Sequence, residues 1–441
     1  MCGIVGVLNH NNLNINASQA IDISLRRLSK RGPDFQSHFI NDEVLFGHAR
    51  LSIIDTSPDS NQPFWDESKR YCLVFNGEIF NFKTLKQELF SQGVNFKTNS
   101  DTEVLLHLLI LKGEDALKEL NGFFAFCFYD KLTETSVIAR DRYGIKPLLY
   151  SVVGNSLLFA SELKAILPFV KEKKVDLQSL KYFFKFNYIP APMCILENVK
   201  KLNPGELIRV VKDEISFHTY YQLKSSDLKF QGNYAEAKRQ VYNLLEDATQ
   251  MRMIADVPLG SFLSGGIDSS IVSTIAAKHS QHLNTFSIGF KDEPFFDETK
   301  YAQIVAKKIG SNHTVFSLTN SDLLEDYQEA LDYFDEPFAD SSALNMFILS
   351  KKTRNKVTVA LSGDGADELF SGYNKHEALW KADQGGIKNS LVKGVGTVMV
   401  KVLPKSRDNR IGDFVRKIDK FSRGLNLNSR ERYVGSEEPH V

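Results

Sequence analysis

A cysteine directly after the initiator methionine is the first residue of this chain equipped for chemistry. Once Met1 is removed, Cys2 carries both a thiol and the free α-amine. An α-amine titrates at about 7.7 to 8.0, so near neutral pH part of it is unprotonated. It can take the thiol proton directly or through water, and nucleophile and base then come from one residue. Position two alone is weak evidence, because most cysteines simply fill space. Three further groups add to it. Arg50, in Gly47-His48-Ala49-Arg50-Leu51-Ser52-Ile53-Ile54-Asp55, offers a planar fork for a carboxylate. Asn76-Gly77-Glu78 closes an apolar run, where an amide and a glycine N–H can face a developing oxyanion. Asp101 can accept a substrate ammonium, or cap the helix that begins at Thr102. A thiol, an amine base, an oxyanion hole and clamps for both ends of an amino acid together describe amide hydrolysis of glutamine.

The second half carries a different chemistry. Leu263-Ser264-Gly265-Gly266-Ile267-Asp268-Ser269-Ser270 sits where an expected strand gives way to an expected helix. Two glycines allow close backbone approach, serines add hydroxyls, and the helix start presents free N–H groups, so a phosphate fits. Asp268 beside phosphates makes sense if Mg²⁺ bridges them. The pattern is neither the Walker lysine loop nor GxGxxG, and the alternative is a plain glycine-rich strand-to-helix turn. Leu361-Ser362-Gly363-Asp364-Gly365-Ala366-Asp367-Glu368 repeats the strand-to-helix arrangement with three carboxylates in five residues. They supply a metal ligand and a base, or cap the helix with acid. Asp335-Glu336 and Asp340-Ser341-Ser342 either recognise substrate or cap a helix.

The elements that must position these residues fall into two rhythms. Strands are expected at Gly3–Leu8, at Tyr71–Phe75 ending in an Asn76-Gly77 turn, and at Phe123–Tyr129, Ser136–Ala139, Pro147–Val153 and Leu157–Ala160. With helices at Ile15–Leu28, Phe82–Gln92 and Thr102–Leu111, and a last hairpin at Gly205–Tyr221, they imply packed antiparallel sheets. From Tyr234 to Ser362 helices and strands alternate, which argues for a parallel sheet covered on both faces. The boundary is placed in the polar stretch Lys224–Asn233, giving domains 1–224 and 234–441, and the pattern weakens after Gly385. The composition of the 441 residues excludes other classes: 54 basic against 54 acidic residues leave no charge to seek nucleic acid or an anionic membrane. The longest apolar run, Phe123–Tyr129, is far short of a span. Four scattered cysteines (Cys2, Cys72, Cys127, Cys194) offer no CxxC pair. A cytoplasmic protein is expected.

Over both halves the chain resembles the glutamine-hydrolysing asparagine synthetases of the B type. The resemblance rests on Met1-Cys2-Gly3-Ile4, Arg31-Gly32-Pro33-Asp34, Arg50–Asp55, Asn76–Asn81, Asp141–Leu148, Ser264–Ser269 and Ser362–Glu368, in the family's order. It implies a class II glutamine amidotransferase: an α+β N-terminal-nucleophile sandwich (α/β/β/α) followed by an α/β parallel-sheet PP-loop domain. Cys2 would be the nucleophile, Asn76 and Gly77 the oxyanion hole, and Arg50, Leu51, Ser52, Ile53, Ile54, Asn76, Gly77, Glu78 and Asp101 the glutamine pocket. ATP would lie against Leu263, Ser264, Gly265, Gly266, Asp268, Ser269, Ile288, Ser362 and Gly363. Asp268 and Asp367 would hold Mg²⁺, and Asp364 would serve acyl-adenylate formation. The implied reaction is ATP-dependent synthesis of asparagine from aspartate and glutamine-derived ammonia through β-aspartyl-AMP, by a chain that is a homodimer. The alternatives are amidation of another carboxylate, such as a sugar acid, glutamine hydrolysis alone, or a regulatory role. The family's later Arg-Val-Pro-Phe-Leu-Asp segment and lysine are not found after Tyr373, so a C-terminally truncated synthetase domain is expected.

Overall fold

Tyr71–Ile79 and Gly122–Asp130 carry apolar side chains on both faces, so the sheet containing them needs cover on both sides. The computed structural model describes residues 1–10, 13, 15–224, 229–385, 392, 410–428 and 431–432 and provides that cover. Up to Pro258 the chain runs β1 (Gly3–Leu8), α1 (Ala17–Arg27), β2 (Phe35–Ile40), β3 (Val44–Arg50), β4 (Phe64–Trp65), β5 (Tyr71–Ile79), α2 (Phe82–Ser91), α3 (Asp101–Lys112), β6 (Gly122–Asp130), β7 (Thr135–Arg140), β8 (Leu149–Val153), β9 (Ser156–Ala160), α4 (Leu163–Ile166), α5 (Leu177–Phe186), β10 (Lys200–Lys201), β11 (Glu206–Val211), β12 (Glu214–Thr219) and α6 (Tyr234–Met251). The strands make two six-stranded antiparallel sheets, ordered β10-β8-β9-β1-β3-β2 and β12-β11-β7-β6-β5-β4.

Period-two alternation assigns each face. Along β5, Cys72 and Val74 join Ile4, Phe46, Cys127 and Phe159 in the core between the sheets. Leu73 and Phe75 face the other way, onto α2 and α3. The outer face of the first sheet is closed by α1, through Ile21 and Leu25, and by α4. The four layers are therefore α/β/β/α, as the resemblance implies. α1 and α3 begin where a side chain accepts a helix-start N–H: Asn16 Oδ1 from Gln19 at 3.1 Å and Ser100 Oγ from Glu103 at 3.3 Å.

The second unit comprises Phe184–Asn187, Leu259–Leu331 and Ala339–Val441. It contains β13 (Leu259–Phe262), α7 (Ile267–Lys278), β14 (Asn284–Phe290), α8 (Thr299–Ile309), β15 (Asn312–Leu318), α9 (Asn320–Leu331), α10 (Ser342–Thr353), β16 (Val359–Leu361), α11 (Ala366–Phe370), α12 (Asn374–Gln384) and α13 (Arg410–Gly424). Its sheet is parallel, with order β15-β14-β13-β16. The chain adds β14 and β15 on one side of β13 and returns with β16 on the other. The carboxyl ends of β13 and β16 thus flank the point where strand order reverses, which is where open α/β sheets bind ligands.

One sequence expectation changes, and two strands are added to those expected. Asn76-Gly77 is no turn: β5 continues to Ile79, pairing Asn76 with Ala125 and Gly77 with Phe124. The ladder with β6 overrides the local turn preference. β2 and β3 escaped the sequence reading. The helix Tyr234–Met251 packs with the first unit, which extends to Pro258 and also takes in Asp332–Phe338. Residues 225–228 of the expected boundary and most of the stretch after Gly385 lie outside the described residues. Among the described residues no helix is long and apolar enough to cross a membrane.

Candidate active site

In the first unit Cys2, Arg50, Leu51, Ile53, Ile54, Asn76, Gly77, Glu78 and Asp101 line one small cavity, joined by Met1, Ser60, Gln62, Phe75, Ser100, Thr102 and Lys146. Of the residues expected to bind glutamine, Ser52 alone is absent from the lining. Its backbone N–H donates to Asp34 Oδ2 at 2.8 Å.

Cys2 is delivered by the start of β1. Its Sγ accepts from Leu51 N at 3.4 Å, and Arg31 Nε holds its carbonyl at 2.8 Å. Burial pushes the thiol up, while the Leu51 N–H and the charges of the α-amine, Lys146 and Arg50 draw it back down. The α-amine of the chain as sequenced belongs to Met1. Burial pushes it down to about 5, so at neutral pH it is a free base.

The oxyanion side is set by the pleat of β5. Phe75 N donates to Gln62 Oε1 at 2.6 Å and Ile79 N to Asp101 Oδ2 at 2.9 Å. Gly77, two residues from each, therefore aims its N–H at the same edge, between those acceptors and into the cavity. Asn76 is fully buried, with Nδ2 3.5 Å from Ser161 Oγ and Oδ1 without a partner. An amide turned by 180° would accept from Ser161 and bring Nδ2 to the unpartnered position, a second donor for an oxyanion. His48 is buried and kept neutral, pushed down to about 3 by burial, and its ring lies 3.2 Å from Phe75 O, joining β3 to β5.

Arg50 commits three of its five N–H groups to Ser57 O, Asn61 Oδ1 and Asp55 O. Among the described residues no partner is seen for its Nε or the second Nη2 hydrogen, a pair of donors that suits a carboxylate. Asp101 lies at the first position of α3, and Ser100 is the cap, so the capping alternative for Asp101 does not hold. Burial raises the Asp101 carboxyl to about 7, and the nearby Glu78 charge adds to the rise. Burial also raises Glu78, opposed by Lys146, the α-amine and Arg252.

Lys146 is the site residue that sequence reasoning passed over. It is buried, its Nζ lies 3.2 Å from Met1 Sδ, and burial lowers its ammonium pKa. The loop presenting it is organised by one buried carboxylate: Asp141 accepts from the backbone N–H of Phe124, Tyr143, Ile145 and Lys146 at 2.9–3.2 Å. A lysine inside the apolar run Gly144-Ile145-Lys146-Pro147-Leu148 was the available signal.

In the second unit the two glycine turns meet. A Cβ on Gly363 would lie 2.7 Å from Ser269 N and 3.0 Å from Asp268 Cβ, so the turn after β16 packs directly on the start of α7. Gly266 caps α7, and Gly265 has a φ of 89°. Ser264 and Ser269 join their hydroxyls at 2.9 Å, and Ser264 Oγ also accepts from Gly266 N at 3.2 Å. Leu263 is buried among Ala302 and Ala306, so only its backbone is offered to a ligand, while Ile288 is half-buried within β14. Asp364 accepts from Ser362 Oγ at 3.0 Å, and Asp367 lies against Gly372. No group of three metal-ligating side chains gathers among the described residues.

The alternatives left open for residues 335–342 separate. Asp335 pairs with Lys164 at 3.3 Å and Glu336 with Lys201 at 2.5 Å, while Ile195 N donates to Glu336 at 2.7 Å. Asp340, the residue before the α10 cap Ser341, accepts from Ser342 N at 2.8 Å.

The family comparisons divide the chain earlier than its contacts do, between residues 221 and 240. The glutamine amidotransferase domain family matches residues 1–221 and the asparagine synthase family residues 240–437. The chain belongs to the glutamine amidotransferase family that carries an asparagine synthase domain. It is similar to asparagine synthetase (glutamine-hydrolysing) 1 of Bacillus subtilis, 37% identical over 377 residues, covering 85% of this chain and 59% of that one. A relative from Methanocaldococcus jannaschii is 35% identical over 406 residues, covering 87% of this chain and 78% of the relative. Amidase chry2 of Gibberella zeae is 31% identical over 410 residues, covering 86% and 60%. The chain thus spans 59% of the length of the first of these relatives.

Proposed function

We propose that this chain hydrolyses glutamine at Cys2 and uses the ammonia to convert aspartate into asparagine at the expense of ATP. The observation that carries the reading is the convergence of Cys2, the Gly77 N–H, the Asn76 amide, the free edge of Arg50 and the Asp101 carboxylate on one cavity. Arg50 would take the substrate carboxylate and Asp101 its ammonium. With Met1 removed, the Cys2 α-amine would accept the thiol proton as sulfur attacks the side-chain amide carbon. Asn76 and Gly77 would hold the oxyanion, ammonia would leave with the returned proton, and water would release glutamate from the thioester.

At the second site the backbone N–H groups of Ser264–Ser269 and the start of α7 would hold ATP phosphates. The aspartate side-chain carboxylate would attack the α-phosphorus and expel pyrophosphate, with Asp364 serving that step. Ammonia would then displace AMP from the acyl-adenylate. Mg²⁺ fits the donor set, since it takes one or two carboxylates and completes its shell with phosphates and water. Asp268 and Asp367 would be those carboxylates, and the ion would neutralise phosphate charge. The relative named as an amidase favours a second reading, in which the chain hydrolyses glutamine without amidating an acceptor.

The test is pyrophosphate release and product mass with glutamine, ATP, Mg²⁺ and aspartate. Asparagine formed in step with AMP supports the proposal. Pyrophosphate only with a different acid replaces aspartate as acceptor, and hydrolysis of glutamine without any acceptor activation removes the synthetase half.

A further inference from the structure

Asp256 has no part in that chemistry, yet it grips the wall of the glutamine cavity. Its backbone N–H donates to Ile53 O at 2.9 Å, and its Oδ2 accepts from Asp55 N at 2.8 Å. The two bonds bracket Ile54, so one residue fixes both peptide groups flanking a side chain that lines the cavity. This wall needs a hold, because residues 51–55 belong to no helix or strand. Asp55 itself has a φ of 49°, a left-handed conformation that a non-glycine residue keeps only when its surroundings enforce it.

The same short segment is tied to the substrate clamps. Arg50 Nη2 donates to Asp55 O, and the Asp55 carboxylate accepts from Asn99 N at 2.6 Å, two residues before Asp101. Whatever sets the position of Asp55 therefore sets Arg50 and the approach to Asp101 together. A second contact holds the segment that carries Asp256. Arg252 lies 4.5 Å from the Phe80 ring centroid and 5.0 Å from that of Phe123, with its charge felt at Glu78.

We propose that Asp256 is a positioning residue for glutamine, holding Ile53–Asp55 at the height at which Arg50 and Asp101 meet the two ends of the substrate. The proposal rests on the glutamine-hydrolysing reading above and deepens it.

The experiment measures steady-state glutamine hydrolysis by the full chain and by Asp256→Ala, Asp256→Asn and Asp256→Glu. Asp256 is solvent-exposed, so the substitutions leave the core untouched. Loss of one charge-assisted hydrogen bond from a positioning contact is expected to raise the KM for glutamine roughly five- to tenfold in Asp256→Ala, with kcat held within a factor of about two. Asn retains an oxygen acceptor at the same reach, so Asp256→Asn is expected to return KM to within about twofold of the parent. Glu moves the acceptor by one bond, about 1.5 Å, and gives an intermediate rise. It keeps the question answerable if the alanine variant does not fold. An unchanged KM in Asp256→Ala, or in Asp256→Glu where only that variant folds, overturns the inference. So does a loss confined to kcat, or no recovery in Asp256→Asn. Absence of hydrolysis by the parent chain overturns the glutaminase reading itself, and this inference with it.

Discussion

The two candidate sites are built by opposite means. Around Cys2 the chemistry sits in a cavity lined from both sheets, from the start of α3 and from residues 50–54, and its groups are set by burial: the thiol and two carboxyls are pushed up, the α-amine and Lys146 pushed down. Around Ser264–Ser269 the site is half-exposed and set by backbone conformation, with glycines where a side chain would collide and hydroxyls that satisfy one another. The difference suits the ligands proposed for the two sites. A neutral amide needs a dry pocket with pre-aimed donors to stabilise charge that appears only during reaction. A phosphate chain arrives fully charged and needs N–H groups close at hand.

This contrast can be broken most decisively at Cys2. Cys2→Ala is expected to reduce glutamine hydrolysis by at least about a thousandfold while sparing ammonia-dependent pyrophosphate release; loss of both activities would refute the division of labour. Gly363→Ala is the converse. Its methyl would press on Ser269 N at 2.7 Å, and pyrophosphate exchange is expected to fall by at least about tenfold with glutaminase kcat/KM unchanged. Equal damage to both reactions would show that the turn is not local to the nucleotide.

Asp101 gives a subtler effect because its carboxyl titrates at about 7. The folded chain binds more protons than the unfolded one between about 3.9, the ordinary aspartate value, and that raised value. Its contribution to stability is therefore present at low pH and is lost as pH rises through this window. Asp101→Asn is expected to melt at a higher temperature than the parent at pH 8 and at nearly the same temperature at pH 4. Glutamine binding runs the other way: the parent's KM should rise as pH falls below about 7, and the variant's should be high and flat. A pH-independent parent KM would remove Asp101 as the ammonium partner. The smallest effect concerns α6, whose capping box joins Asn233 and Glu236. Asn233→Ala should cost about 1 kcal/mol, and calorimetry will show it as a downward shift of the first unit's transition alone if α6 melts with that unit.

The parts legible in the sequence were those with a local signature. Gly3–Leu8 coincides with an observed strand because it is a short apolar run, and Asn284–Phe290 because Phe286, Ile288 and Phe290 alternate with polar or small residues. The residues that line one cavity with Cys2 were recoverable because Arg50, Asn76 and Asp101 each imply a specific chemistry. What failed depended on contacts distant in the chain. Asn76-Gly77 reads as a turn until the partner strand 122–130 is known, and Lys146 reads as a surface lysine until Asp141 is seen to fold its loop inward. Phe35–Ile40 is largely exposed and lacks a clean alternation, so only its pairing with Val44–Arg50 makes it a strand. Asp335 and Glu336 look free for substrate, and their lysine partners lie more than a hundred residues upstream.

On the glutaminase reading proposed above, Gly77 joins two duties that are usually kept apart. A methyl there would come within 2.3 Å of Phe123 O and 2.5 Å of the Phe75 ring. Any side chain would prise apart the central strand pair as well as shift the N–H that faces the cavity. Turnover and architecture therefore share a single atom-sized allowance, and selection has no substitution at this position that could tune the one while leaving the other alone.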